Sequence, residues 1–418
     1  MSSLHAQAMP RKRFAVVRNR ALLTLMLGHF TVDMYVGLLP VLYPLLIQRF
    51  ALNLQTVGLV SLAYSGVASI SQPLFGAIAD RFGTRFTGLA LIWTATMFST
   101  IGFASSFPML IALAAAAGLG SGMFHPFGAL KARSVIAEGQ RNTAMSVYVT
   151  AGTIGVALGP LIGAAIFTLL GIHGTILMFL PGICSASWLL YELRHTPDRG
   201  RPRARTQAAP AMPVAWLPLV AAIGVMMSRN WTVISIEAFV PSWYKSLGYG
   251  PSFYGPLATT VVLASACGTI GSGTLADRYG RRAVILGTLV LSIPCLLLFA
   301  QYTGRIAFLT GALVGLLAAS TGPLTLVMAQ ELMAGRVGMA SGLLLGLGFV
   351  AGAIGVPITG ALGDAFGMAT AVRLQLIVVI AGMLLVPLLP SEARLRALHE
   401  QHAQWRARQA GMSEQPNQ

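Results

Sequence analysis

Acidic side chains are scarce in this chain: Asp and Glu number 12 in 418 residues, against 28 Lys and Arg, and charged residues of both signs make up only 10%. A soluble domain carries roughly 25%. A chain this poor in charge cannot clothe a water-facing surface, and lipid is the solvent that suits a composition 55% hydrophobic with a mean hydropathy of +0.73. Cysteine is scarcer still. Cys184, Cys267 and Cys295 lie far apart inside apolar runs, which excludes a disulfide framework and leaves them as packing residues. No phosphate-cradling glycine loop, no paired metal ligands and no Ser-His-acid spacing stand out. Neither ATP-driven work nor catalysis has a motif to rest on, so the chain is not expected to be an enzyme and no cofactor or metal is expected. The first apolar run is too long for a cleavable leader and lacks a small-residue cleavage site before its end. The net charge of +16 would suit nucleic acid if it covered one face of a folded domain. The basic residues sit instead in short clusters between apolar runs, so no nucleic-acid partner is expected.

A helix needs about 20 mainly apolar residues to cross the hydrocarbon core of a bilayer. Twelve such runs lie near 21–47, 55–78, 86–106, 107–130, 142–170, 171–193, 215–243, 251–275, 283–302, 304–331, 337–362 and 369–390. The chain therefore reads as an all-α membrane protein of two six-helix halves, 1–194 and 215–390, joined by a Pro- and Arg-rich linker at 195–214 and followed by a tail at 391–418. With the amino terminus inside, the cytoplasmic segments hold 23 of the 28 basic residues, among them Arg20, Arg85, Lys131, Arg194, Arg282 and Arg336. The other side holds Arg49, Lys245, Arg305 and Arg373. That asymmetry places both termini and the linker in the cytoplasm. Leu395, Leu398 and Trp405 suggest a short basic amphipathic helix on the membrane surface.

The halves match at one displacement of 197 residues: Gly76 with Gly273, Asp80 with Asp277, Arg81 with Arg278, Gly83 with Gly280, Gly118 with Gly315, Pro126 with Pro323, Gly155 with Gly352, Pro160 with Pro357 and Gly163 with Gly360. An ungapped register across four helices indicates duplicated halves, the arrangement that supports rocking about a central site. In the repeated loop, glycine permits sharp turns and close helix approach. Asp80 and Asp277, with Arg81, Arg278 and Arg281, can latch a gate by pairing with a charge or capping a helix end. The loops 76–85 and 273–282 resemble the signature loop of the major facilitator superfamily, although Thr84 stands where a basic residue is usual. In the fifth span Gly155, Gly159, Pro160 and Gly163 form a small-residue face for close packing. That run is similar to a motif in the fifth helix of drug–proton antiporters, with Ala164 replacing a final glycine.

Ionisable groups inside the membrane are costly and commonly mark a pathway. His29 and Asp33 share one face of the first span, four residues apart. Low dielectric favours a neutral acid, so an aspartate at this depth can load and release a proton, with histidine tuning or relaying it; a structural His–Asp contact is the alternative. Arg229 and Glu237 lie in the seventh span. Arginine keeps its proton, so Arg229 can hold an anionic group, act as counter-ion to Asp33, or form a purely structural ion pair with Asp33 or Glu237. Asn230, Trp231 and Tyr35 can line the same cavity or serve as packing residues. His125 precedes Pro126 in the fourth span, and Glu331 lies at the cytoplasmic end of the tenth, as a coupling residue or a solvated one.

Several segments together resemble the fosmidomycin-resistance family of bacterial efflux proteins: Gly28-His29 to Asp33-Met34, Tyr43-Pro44, Met123 to Pro126, Ser228-Arg229, and Ala329-Gln330-Glu331-Leu332 followed by Gly335-Arg336 and Gly338 to Gly342. The resemblance implies proton-driven export of a small drug-like molecule, a phosphonate being the family's named substrate, and repeated use of His29, Asp33, His125 and Glu331. Phe127 stands where the family often has an acid. The expectation is an antiporter of the bacterial inner membrane, a monomer in the lipid bilayer whose partners are protons and a small substrate. Two rivals remain at this point: an importer of an organic acid or similar metabolite, and a sensor or scaffold that has lost transport.

Overall fold

The computed structural model describes residues 19–136, 141–194, 214–333, 336–397 and 400–401. No strand occurs among them; apolar helices fill nearly the whole of the described chain. In chain order they are α1 (Arg20–Phe50), α2 (Leu54–Phe82), α3 (Thr87–Thr100, extended by a 3-10 turn to Phe103), α4 (Phe107–Ser134), α5 (Arg141–Leu170), α6 (Phe179–Leu193), α7 (Trp216–Ser246), α8 (Pro251–Tyr279), α9 (Arg281–Gln301), α10 (Ile306–Leu332), α11 (Val337–Phe366) and α12 (Met368–Leu385). Among the described residues ten runs are long and apolar enough to cross a membrane. The 50-residue run Ala144–Leu193 holds two of the twelve helices, reversing at Gly171, whose φ of 58° begins a 3-10 segment. The run Thr87–Phe103 is the short one. The linker at 195–213 and the tail residues Leu398 and Trp405 lie outside the described residues.

Local chemistry explains where helices start, stop and bend. Asn19, Asn53 and Ser106 accept hydrogen bonds from the first-turn amides of α1, α2 and α4, satisfying donors that the helix itself leaves open. Gly83 and Gly280 close α2 and α8 at φ 79° and 84°, a region costly for any residue with a Cβ; this is the physical content of the repeated loop. Pro323 lacks an amide and crowds the carbonyl of Ala319, and α10 is accordingly broken at Ser320 into Ile306–Ala319 and Thr321–Leu332. A π-helical turn, Leu62–Gly66, interrupts α2, and the carbonyl of Tyr64 there lies hard against Gly118 of α4.

Packing follows the small residues. Gly155 of α5 abuts the carbonyl of Phe30, and a Cβ on Gly159 would lie 2.7 Å from Gly37 of α1. Besides a contact along α1 and α7, the halves meet most extensively in two related places: Gly58 of α2 against Pro357 of α11, and Gly255 of α8 against Pro160 of α5. Both are near one face of the bundle, opposite the face that gathers Arg85, Lys131, Arg278 and Arg282, which we call the basic face. Contact between α2 and α11 is concentrated in the first half of α2. Toward the basic face the halves part: Gly271 and Gly273 of α8 and Gly342 and Gly346 of α11 look onto open space. The protein is closed on one side and open on the basic side.

A Gly159→Ala exchange tests the α1–α5 contact. Its methyl group meets backbone that has no rotamer to escape into, so the folded protein should lose about 1–3 kcal/mol, read as a lower unfolding midpoint in detergent.

Candidate functional site

Asp33 lies near the middle of α1, and two imidazoles close on it. His29 of the same helix brings Nε2 to 3.3 Å from Oδ2, and His125 of α4 brings Nε2 to 3.4 Å from Oδ1. The His29 ring stacks on Tyr148 of α5 at 4.3 Å between centroids, and its Nδ1 lies 2.9 Å from the Tyr148 carbonyl oxygen. A carbonyl only accepts, so Nδ1 carries the hydrogen and donates it. Neutral His29 then has a bare lone pair at Nε2, facing a carboxylate oxygen. That nitrogen and the two imidazole contacts to Asp33 make the polar centre of the N-terminal half. His125 has a second neighbour, Ser121 Oγ at 3.5 Å. Gly152 of α5 makes the space: any Cβ there would collide with the Asp33 carboxylate and the His29 ring. Tyr64 of α2 and Tyr148 complete the surroundings within electrostatic reach. The side chains of Asp33 and His125 remain 14% and 27% exposed, so the site is neither sealed nor surface-bound.

Arg229 occupies the matching depth on α7. Its Nη1 donates to Asn230 Oδ1, its Nε has no partner among the described residues, and the guanidinium rests on Gly322, just past the break in α10. Asn230 Nδ2 is likewise unpartnered among the described residues. No carboxylate among them lies within ion-pair distance of Arg229, so neither an Asp33–Arg229 nor a Glu237–Arg229 pair forms. Glu237 sits two turns along α7, beside Ser265 of α8 and within electrostatic reach of Arg229. Trp231 lies against Gly355 of α11. Tyr35 is fully buried, stacks on Phe98 and donates to the Met178 carbonyl at 2.8 Å; it is a core residue here.

The remaining sequence candidates lie on the basic face. Asp80 and Asp277 are exposed, with no ion pair among the described residues, while Arg81 and Arg278 each lie 5.2 Å over the following ring, Phe82 and Tyr279. Gly76 approaches Pro126, and Gly273 faces open space. Arg281 is engaged within its own half: Nη1 reaches Glu331 at 2.8 Å, and the Arg281 amide, Nε and Nη2 all donate to Glu392 at 3.1–3.2 Å. Glu331 is thus a partner of Arg281, away from the Asp33 cluster. Glu392 opens the tail helix at 392–397, whose Leu395 is buried in the bundle; that part of the tail docks on protein, whereas its apolar pattern suggested the membrane surface.

Sequence reasoning joined His29 to Asp33 by helical spacing and named His125 apart from them, with nothing to bring α4 to α1. It missed Tyr148, whose contribution is a main-chain atom, and Gly152, one more glycine in a glycine-rich helix. Glu392 carried no signal at all.

Two charge centres at mid-depth, one in each of two duplicated halves that part toward one side, define a membrane transporter and not an enzyme. The chain belongs to the major facilitator superfamily, whose family model matches residues 25–250 and 221–413. It is 30% identical over 386 residues to the MFS-type transporter YfnC of Bacillus subtilis (strain 168), covering 89% of this chain and 93% of that protein. It is 27% identical to the fosmidomycin resistance protein of Escherichia coli (strain K12), covering 86% and 90%. In fold it is similar to a bacterial homolog of the human lysosomal transporter Spinster in an inward-facing and occupied conformation, with a TM-score of 0.71 at 15% identity over 95% of this chain and 98% of that one.

Burial alone would raise the pKa of Glu392, but hydrogen bonds from the Arg281 amide and guanidinium, and the charges of Arg281 and Arg396, outweigh it and hold the group below the ordinary glutamate range. The tail contact is therefore fully present above that range and is lost as pH falls through the depressed value. Amide exchange over 392–397 should accelerate in that acid window and not before; protection that persists once Glu392 is protonated would contradict this.

Proposed function

We propose that the protein is a proton-coupled antiporter of the bacterial inner membrane that exports a small anionic or zwitterionic drug-like molecule, possessing the drug-efflux chemistry of the fosmidomycin resistance protein that it resembles. The basic face is cytoplasmic, both termini lie on that side, and the carrier works as a monomer in the bilayer by alternating access. The proton gradient is its energy source, with no cofactor. The observation that carries this reading is the Asp33 carboxylate held between two imidazoles, with His29 Nδ1 already committed to the Tyr148 carbonyl. Such a cluster has one exchangeable proton to give, and its partial exposure supplies a route. Arg229, a buried guanidinium with an unpartnered Nε, supplies the affinity for an anion, because a buried charge without a partner is costly and a bound phosphonate or carboxylate relieves it. Asn230 and Glu237 then orient the rest of the substrate, and Asp80 and Asp277 latch the cytoplasmic side when it closes.

In proteoliposomes with an imposed pH gradient and a panel of phosphonates and common antibiotics, Asp33→Asn should abolish proton-coupled export while folding and expression persist; undiminished coupled flux would remove the assignment. Arg229→Gln should weaken anionic substrates roughly tenfold or more, the scale of a lost charge-assisted hydrogen bond, and neutral ones less. Equal losses for both would speak against charge recognition. Drug protection, against uptake-dependent growth, in a deletion strain separates export from import on the same fold.

A further inference from the structure

The two halves are tied on the closed face by a contact that neither the repeat nor the mid-span charges foretell. α2 begins there at Leu54, and its first amides need acceptors. Thr56 N donates to Asn53 Oδ1 at 2.8 Å and Val57 N to the Asn53 carbonyl at 3.0 Å, both local. The remaining two are satisfied from the other half of the molecule. Leu54 N donates to Asp364 Oδ1 at 2.9 Å, and Gln55 N to Asp364 Oδ2 at 2.8 Å. Asp364 stands near the end of α11, so a single carboxylate spans both open amides of a helix 310 residues away in sequence. The backbones are close enough because Gly360, one turn earlier, lies against the carbonyl of Leu54 and Gly58 lies against Pro357.

We propose that Asp364 is the latch of the extracellular gate: its carboxylate caps α2 while that side is closed, and the cap must break each time the carrier opens outward. The proposal rests on the alternating-access reading, and on neither the substrate nor proton coupling. Parting α2 from α11 leaves Leu54 N and Gln55 N to water and strips the carboxylate of two charge-assisted bonds at a helix's positive end. Nothing at the related interface can do the same. Shifted by the repeat of 197, Asp364 falls on Phe167, and Leu54 falls on Pro251, which has no amide to donate. The same cap is therefore not repeated at the α5–α8 contact, and the latch belongs to one of the two seams. The roles of the two acids on this helix pair are complementary. Asp364, near the end of α11, caps the start of α2; Asp80, near the end of α2, is exposed while the opposite side is open.

Spin labels at Ser105→Cys and Thr303→Cys, on exposed loops of the two halves at the closed face, report the gap in full-length protein in nanodiscs after Cys184, Cys267 and Cys295 are replaced by alanine. Asp364→Ala should raise the ratio of long to short distances by roughly fivefold to thirtyfold, the factor that a lost helix cap commonly carries. Asp364→Asn, with one oxygen to offer where the carboxylate has two, should fall between. Gln55→Pro removes one of the two donors without touching the acid, at a helix position where Pro108 already stands in α4. It should shift the distances the same way but add less in an Asp364→Ala background than alone, which general destabilisation would not do. An unchanged or shortened distribution in folded Asp364→Ala overturns the latch. If that variant does not fold, an unchanged distribution in Asp364→Asn and Gln55→Pro overturns it equally. Flux on the same preparations keeps the two claims apart: a widened gap without flux in any variant removes transport and leaves the latch, and flux without a widened gap removes the latch.

Discussion

A carboxylate halfway through an apolar bundle must share its charge with something, and Asp33 shares it with two imidazoles on two helices. That constraint reaches outward through the N-terminal half. To keep His29 Nε2 aimed at the acid, its other nitrogen must be held, which requires α5 to bring the Tyr148 carbonyl within 2.9 Å. For α5 to come that close, its facing positions must be glycine, as they are at Gly152, Gly155 and Gly159. The small-residue face of α5 and the buried acid of α1 are therefore one arrangement, and a helix packed farther out would lose the contacts that hold His29 against Asp33.

The C-terminal half solves a different problem with the same scaffold. Its central charge is a guanidinium, which does not give up its proton, and the helix beside it is broken where α4 is continuous, although Pro126 and Pro323 are repeat partners. Duplication set the positions of the spans; divergence gave one half an acid between two imidazoles and the other a buried guanidinium.

The fold was largely legible because its determinants are local. Span length, the basic asymmetry and the 197-residue repeat depend on runs of residues read in order, and all twelve helices fall where those runs do. Gly83 and Gly280 were readable as turn glycines for the same reason. The site was legible as a set of residue types but not as a constellation. His29 and Asp33 are joined by helical periodicity, whereas His125, 92 residues beyond Asp33, joins them only through helix packing. Tyr35 was open between cavity and packing because an aromatic in a span carries no mark of which way it faces, and the structure places it in the core. Glu331 looked like a free acid because its partner, Arg281, and the tail residue Glu392 that completes the cluster come from separate elements. Periodicity reports which face a residue occupies; it is silent on what that face meets.

The acceptor that fixes the His29 tautomer is a main-chain oxygen. It belongs to the backbone of position 148 and not to its side chain, so the nitrogen that His29 turns toward Asp33 is set by where α5 runs. The room for that arrangement is left by Gly152, whose side chain is a hydrogen atom and where any Cβ would meet Asp33 and His29.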